Sequence, residues 1–324
     1  MIRKEGLIES AFMDHIDEKP GKDLFSTRPY SIRLRRIVLW FLVAVYTIVL
    51  PYAIVVYQSI QGRFSREITG KIPLAMSILL GVAYIFLGFV RKKGMRFLAR
   101  LAPCVIIAAI LISLEPNPNK QIHIPEYILM SWLVFQALGL DYKGKGILAL
   151  VFVISSMLGV VDEIEQGIHS GRFFGWWDMI MNSASAGIGV ILLSGLGEKD
   201  DGSWDWFRGV KAHKGIVGLG LFGLLGTVLA CVYLFKVHEK GFFGGVYPSW
   251  LLAWNALFAA LFTAMIFSCC FRYIKGRSML GIRADAIRPT DHTTGYLWLF
   301  PVLSILFVIN TVTVIMALVG CEFR

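Results

Sequence analysis

Hydrophobic positions gather along the chain into nine long runs, at residues 37–60, 72–90, 97–114, 122–140, 146–161, 176–196, 215–237, 249–271 and 296–320. About 20 apolar residues in helical form span a bilayer core of roughly 30 Å. A backbone in lipid has no water to bond, so each run is predicted to be an α-helix. The expected fold class is all-α, a polytopic transmembrane helix bundle with nine spans. The third run is interrupted by Arg100, and the fifth is short because an acidic cluster begins at Asp162.

Composition agrees with that pattern. Of 324 residues, 56% are hydrophobic and 17% charged, against about a quarter charged in soluble domains. The formal net charge of +10 invites a nucleic-acid reading, but its distribution argues against one. With alternate polar intervals assigned to opposite sides, Lys and Arg near the helix ends divide 20 to 8. The poor side holds Arg63, Arg66, Lys71, Lys120, Arg172, Lys236, Lys240 and Arg324. The rich side includes Arg91, Lys143, Lys145, Lys199 and Arg272. By the positive-inside bias the protein is expected in the cell membrane, with its N-terminus cytoplasmic and its C-terminus extracytoplasmic. The basic excess then reflects topology and attraction to anionic lipid. Membrane lipids are the expected partners, and nucleic acid is not.

No cleavable signal is expected, and the first run reads as an uncleaved signal-anchor. Residues 1–35 form a cytoplasmic tail in which Ile8, Phe12 and Ile16 recur every four positions. "GLIESAFMDHI" therefore reads either as a short interfacial helix or as disordered tail. Residues 36–96 supply two flanking spans, 97–196 a membrane core, and 197–324 a polar loop followed by three further spans. Cys104 and Cys231 fall mid-span, Cys269 and Cys270 near a cytoplasmic end, and Cys321 alone outside, which leaves no extracellular disulfide. "GLGLFG", starting at Gly218, matches a dinucleotide fingerprint but lies inside an apolar run with no strand before it. Its small residues are expected to serve close helix packing.

Candidate chemistry lies where three runs end on the poor side. Lys120, His123, Glu126 and Tyr127 open the fourth run. Asp162, Glu163, Glu165 and Gln166 close the fifth, Arg172 follows, and Asp178 and Asn182 open the sixth. Spacings of three and four residues put each set on one helix face. Carboxylates at a helix C-terminus oppose the helix dipole, and near lipid they need a counter-charge. Arg172, Lys120, a protonated His123, a bound cation or their own protonation could neutralise them, the pairs Asp162–Arg172 and Glu163–Lys120 being one such arrangement, while Asp178 is favourable in the first turn of its helix.

At these residues the chain resembles the VanZ-like family of polytopic membrane proteins. The family pattern has Lys–x–x–His–x–x–x–Tyr, then Asp-Glu–x–x–Gln, an Arg, and Asp–x–x–x–Asn–x–x–Gly–x–x–x–Gly. Lys120, His123 and Tyr127 match the first part, Asp162, Glu163 and Gln166 the second, and Arg172 follows. Asp178, Asn182 and Gly189 match the last, with Ser185 in place of its first Gly. The resemblance covers residues 97–196. It implies a link to lowered susceptibility to the glycopeptide antibiotic teicoplanin, which acts at the cell envelope. It brings no established reaction.

Three readings compete. In an enzyme, His123, Asp162 and Glu163 are the candidate acid–base residues. Lys120, Tyr127, Gln166, Arg172, Asp178 and Asn182 would bind a lipid-linked or cell-wall substrate through its phosphate or carboxylate. A nested alternative sets a divalent cation on Asp162, Glu163, Asp178 and His123. In a binding protein the same pocket recognises a lipid head group or glycopeptide without chemistry. In the third, the ion pairs only seal three helix ends. Glu165 and His169 are expected to be solvated and Glu126 to sit at the rim. Trp176, Trp177, Trp250 and Trp254 are expected in an interfacial aromatic belt.

Overall fold

The computed structural model describes residues 28–142, 146–169, 172–197, 213–279 and 298–323, and among these every regular element is helical. In chain order they are α1 (Arg28–Val49), a 3-10 turn (Leu50–Tyr52), α2 (Ala53–Arg63), α3 (Arg66–Thr69), α4 (Ile72–Val90), α5 (Arg96–Leu114) and α6 (Pro118–Gln121). Then come α7 (His123–Leu138), α8 (Ile147–Ile168), α9 (Trp176–Leu196), α10 (Lys214–Lys240), α11 (Ser249–Met279) and α12 (Leu299–Val319). The predicted tail helix, Lys143, Lys145 and most of the polar segments 197–214 and 272–295 lie outside the described residues.

Among the described residues, eight helices are long and apolar enough to cross a membrane: α1, α4, α5 and α8 to α12. The fourth predicted span is the exception. It folds as α7, only 16 residues long, or roughly 24 Å at 1.5 Å per residue. Ten of those residues are buried, because α7 packs against α1, α8 and α9 as the axis of the bundle. Neighbouring helices rather than lipid surround it. The first run is broken as well, since Pro51 removes a backbone donor and clashes with the preceding turn. By contrast, α5 continues through Arg100 and Pro103. The helix α8 runs past its predicted end at residue 161, through the acidic cluster, to Ile168.

Side-chain contacts sort the helix ends into two poles. At one, Arg36 forms an ion pair with Asp141, Lys93 donates to the Gly197 carbonyl at 3.0 Å, and the Trp298 amide donates to Tyr142 at 2.9 Å. At the other, Tyr46 donates to the Glu126 carbonyl at 3.1 Å, Trp176 packs on Phe235, and Phe174 packs on Phe323. Packing is tightest between α7, α8 and α9. A Cβ on Gly189 would come 2.7 Å from that of Ser131, and one on Gly159 would come 2.9 Å from that of Asn182.

The last three spans join differently. Gly223 of "GLGLFG" lies under the Phe258 ring, 2.4 Å from where a Cβ would stand, whereas Gly218 faces open space. Trp254 stacks on Phe222 at 4.3 Å and donates to that residue's carbonyl. An apolar cleft of about 170 Å³, lined by residues such as Val160, Trp176, Val228 and Leu306, separates these spans from α8 and α9.

Candidate functional site

The polar residues of the three run ends meet at the second pole. α7 and α9 run side by side in one direction and α8 returns against both, so the start of α7, the end of α8 and the start of α9 meet. The sequence prepares this locally. Asn117 caps α6, accepting from the Asn119 amide at 3.0 Å, and Pro118 opens that helix. This turn lifts Lys120 over the start of α9, where its ammonium lies 3.0 Å from Asp178 Oδ2.

Deeper in, His123 Nδ1 stands 3.4 Å from Glu126 Oε2 and 4.0 Å from Asp162 Oδ2. The Tyr127 hydroxyl donates to Asp162 Oδ2 at 3.1 Å. Glu163 accepts from Gln166 Nε2, Asn182 Nδ2 and the Gly175 amide, each at 3.3 Å. Arg172 donates to the Gln166 side-chain oxygen, Oε1. Asp162, Glu163, Tyr127 and Asn182 are 0% exposed. Only Lys120 and Arg172 reach the edge. A recess with space for about 20 Å³ opens beside His123, Glu126 and Arg172, enough for about one water molecule.

Sequence reasoning placed Lys120, His123, Tyr127, Asp162, Glu163, Gln166, Arg172, Asp178 and Asn182 together, and the structure brings all nine to one pole. The pairing differs from expectation. Arg172 reaches Gln166 rather than Asp162, and Lys120 reaches Asp178 rather than Glu163. The reason is depth: the cations stand at the rim, whereas Asp162 and Glu163 lie inside and take neutral donors. Glu126 is not a rim residue but a buried partner of His123. Glu165 and His169 are half-buried, and His169 packs edge-on against Tyr52 with ring centroids 5.1 Å apart. Among the described residues, no three or more His, Cys, Asp or Glu are grouped to hold a metal ion.

The balance of charge is uneven. Four carboxylates, from Glu126, Asp162, Glu163 and Asp178, face three basic groups, from Lys120, His123 and Arg172. Even with the imidazole protonated, one negative charge stays uncompensated within the cluster, and a dry interior penalises that strongly. Such a cluster gains a proton readily, which is what acid–base work requires.

Five contributors escaped the sequence reading. Leu50, Ala53 and Tyr57 wall the recess, and the Pro51 break that aims them was a legible signal. The Gly175 amide and the Tyr46 hydroxyl depend on tertiary packing that no local pattern announces. No known family, no curated protein and no solved structure matches this chain.

Proposed function

We propose that this is a VanZ-like integral membrane protein of the cell envelope. Its polar cluster faces the extracytoplasmic side and acts on the charged head of a lipid-linked or cell-wall component. The charge asymmetry of the loops supports the facing, and the multi-part spacing of the cluster supports the family. The observation that carries the chemistry is His123 set between two buried carboxylates beside a recess sized for water. In this reading Lys120 and Arg172 meet a phosphate or carboxylate at the rim. His123, with Glu126 and Asp162 behind it, gives or takes a proton across the recess. The link to glycopeptide-type antibiotic response belongs to the same proposal.

A second reading is favoured by the small recess. The cluster holds a lipid head group or glycopeptide at Lys120 and Arg172 and performs no reaction. The two separate on His123→Ala. An enzyme loses turnover and still binds, whereas a binding protein loses affinity in proportion to function. Asp162→Asn and Arg172→Ala are each expected to abolish function at the envelope with normal membrane insertion. Failure of insertion in both would leave a purely structural network. Facing is checked by labelling single cysteines at 120, 172 and 211 from outside intact cells. Reaction at the first two and not the third is expected, and the reverse pattern overturns the assignment.

A further inference from the structure

We infer that Phe323, carried by the last three spans, is a positioning residue for the polar cluster: it clasps the segment that delivers Arg172 and the Gly175 amide to Gln166 and Glu163. The chain leaves α12 at Gly320, whose φ of +70° turns it sharply. The Gly320 and Cys321 amides both return to the Met316 carbonyl, at 3.0 and 3.2 Å. That turn sends Phe323 back into the bundle, where it is 0% exposed.

Its ring fills a socket made by both halves of the protein. Gly167 of α8 forms the floor, and a Cβ there would come 2.4 Å from the ring. Phe174 packs at 5.2 Å between centroids and Phe243, after α10, at 6.0 Å. Phe174 is itself buried and stands between Arg172 and Gly175. Those neighbours make the two bonds that complete the site, from Arg172 to Gln166 and from the Gly175 amide to Glu163. The Phe323 ring contacts Gly167 and the Phe174 and Phe243 rings. It fixes the strip of backbone that carries Arg172 and Gly175, and so assigns the last three spans a task at a site they do not line.

The functional consequence rests on reading the cluster as a binding or catalytic site, but the mechanical claim does not. The test is hydrogen exchange on the full chain in lipid nanodiscs, comparing Phe323→Ala, Phe323→Leu and Gly167→Ala with the parent. Phe323→Ala is expected to raise exchange at amides 172–175 by about tenfold, with the interior of α7 unchanged, as for a local opening. Phe323→Leu refills the socket and restores protection. Gly167→Ala, which expels the ring, reproduces the loosening even where Phe323→Ala yields too little folded protein. Unchanged exchange at 172–175, or equal loosening throughout α7, α8 and α9, overturns the proposal. If the strip loosens and head-group binding is unaltered, positioning fails while the cluster reading stands. If His123→Ala and Asp162→Asn leave function intact, the cluster reading fails and the clasp remains.

Discussion

Asn310 and Glu163 perform the same geometric job in different halves of the bundle. Asn310 spans two helices of the C-terminal part, donating to Thr227 Oγ1 at 2.9 Å, to the Gly223 carbonyl at 3.4 Å, and to its own helix at Leu306. Glu163 spans α8 and α9 by accepting from Asn182 and Gly175. Both are completely buried. Amides, hydroxyls and small residues suffice to join helices in lipid, whereas each buried carboxylate adds a large desolvation penalty. The C-terminal spans show that adhesion here needs no charge. The four carboxylates of the other half thus carry a desolvation penalty that adhesion alone does not require.

That contrast can be broken. Glu163→Ala removes an acceptor shared by three donors, two of them on buried side chains, at about 1–3 kcal/mol each before relaxation. A loss of roughly 3–5 kcal/mol in detergent unfolding is expected, and a loss below about 1 kcal/mol would mean water already serves those donors. Asn310→Asp turns a donor into an anion against three acceptors. It should destabilise the C-terminal spans by about 3 kcal/mol, read as earlier proteolysis of α10 to α12 than of α7 to α9. Asn310→Leu is milder, at about 1 kcal/mol, because interhelical hydrogen bonds in lipid carry little net energy. Parity between the two Asn310 variants would show that charge is not what the C-terminal spans exclude. Glu67→Gln removes an exposed i,i+4 pair with Lys71 and should shift the midpoint by no more than about 0.5 kcal/mol.

Much of this was legible in the chain, and the failures share a cause. Periodicity marks which faces of α7, α8 and α9 carry ionisable groups, so the convergence of Lys120, His123, Asp162 and Asn182 followed from counting. It does not measure how far each side chain reaches. Arg172 was therefore assigned to Asp162 when the backbone after α8 holds it over Gln166. The fourth run shows a related limit: apolarity reports burial, and α7, which runs from one pole to the other, is buried largely by neighbouring helices. Trp254 shows the same ambiguity, since an indole beside a helix end suits a membrane interface or a partner such as Phe222 equally well. Gly223 was legible, because only close packing explains such small residues in an apolar run.

The depth of the acidic pair has one more consequence. Asp162 lies six residues before the last residue of α8, roughly 9 Å inward at 1.5 Å per residue. Dissolved ions screen over about 8 Å at physiological strength, but they do so through water, and here the path is helix and side chain. Added salt should weaken the exposed Lys71–Glu67 pair and leave the imidazole and its two acids undisturbed. The recess beside His123 has space for about one water molecule, enough to relay a proton and too small for a hydrated sodium ion. The centre of this protein is thus insulated from the ionic composition of its surroundings while remaining open to their acidity.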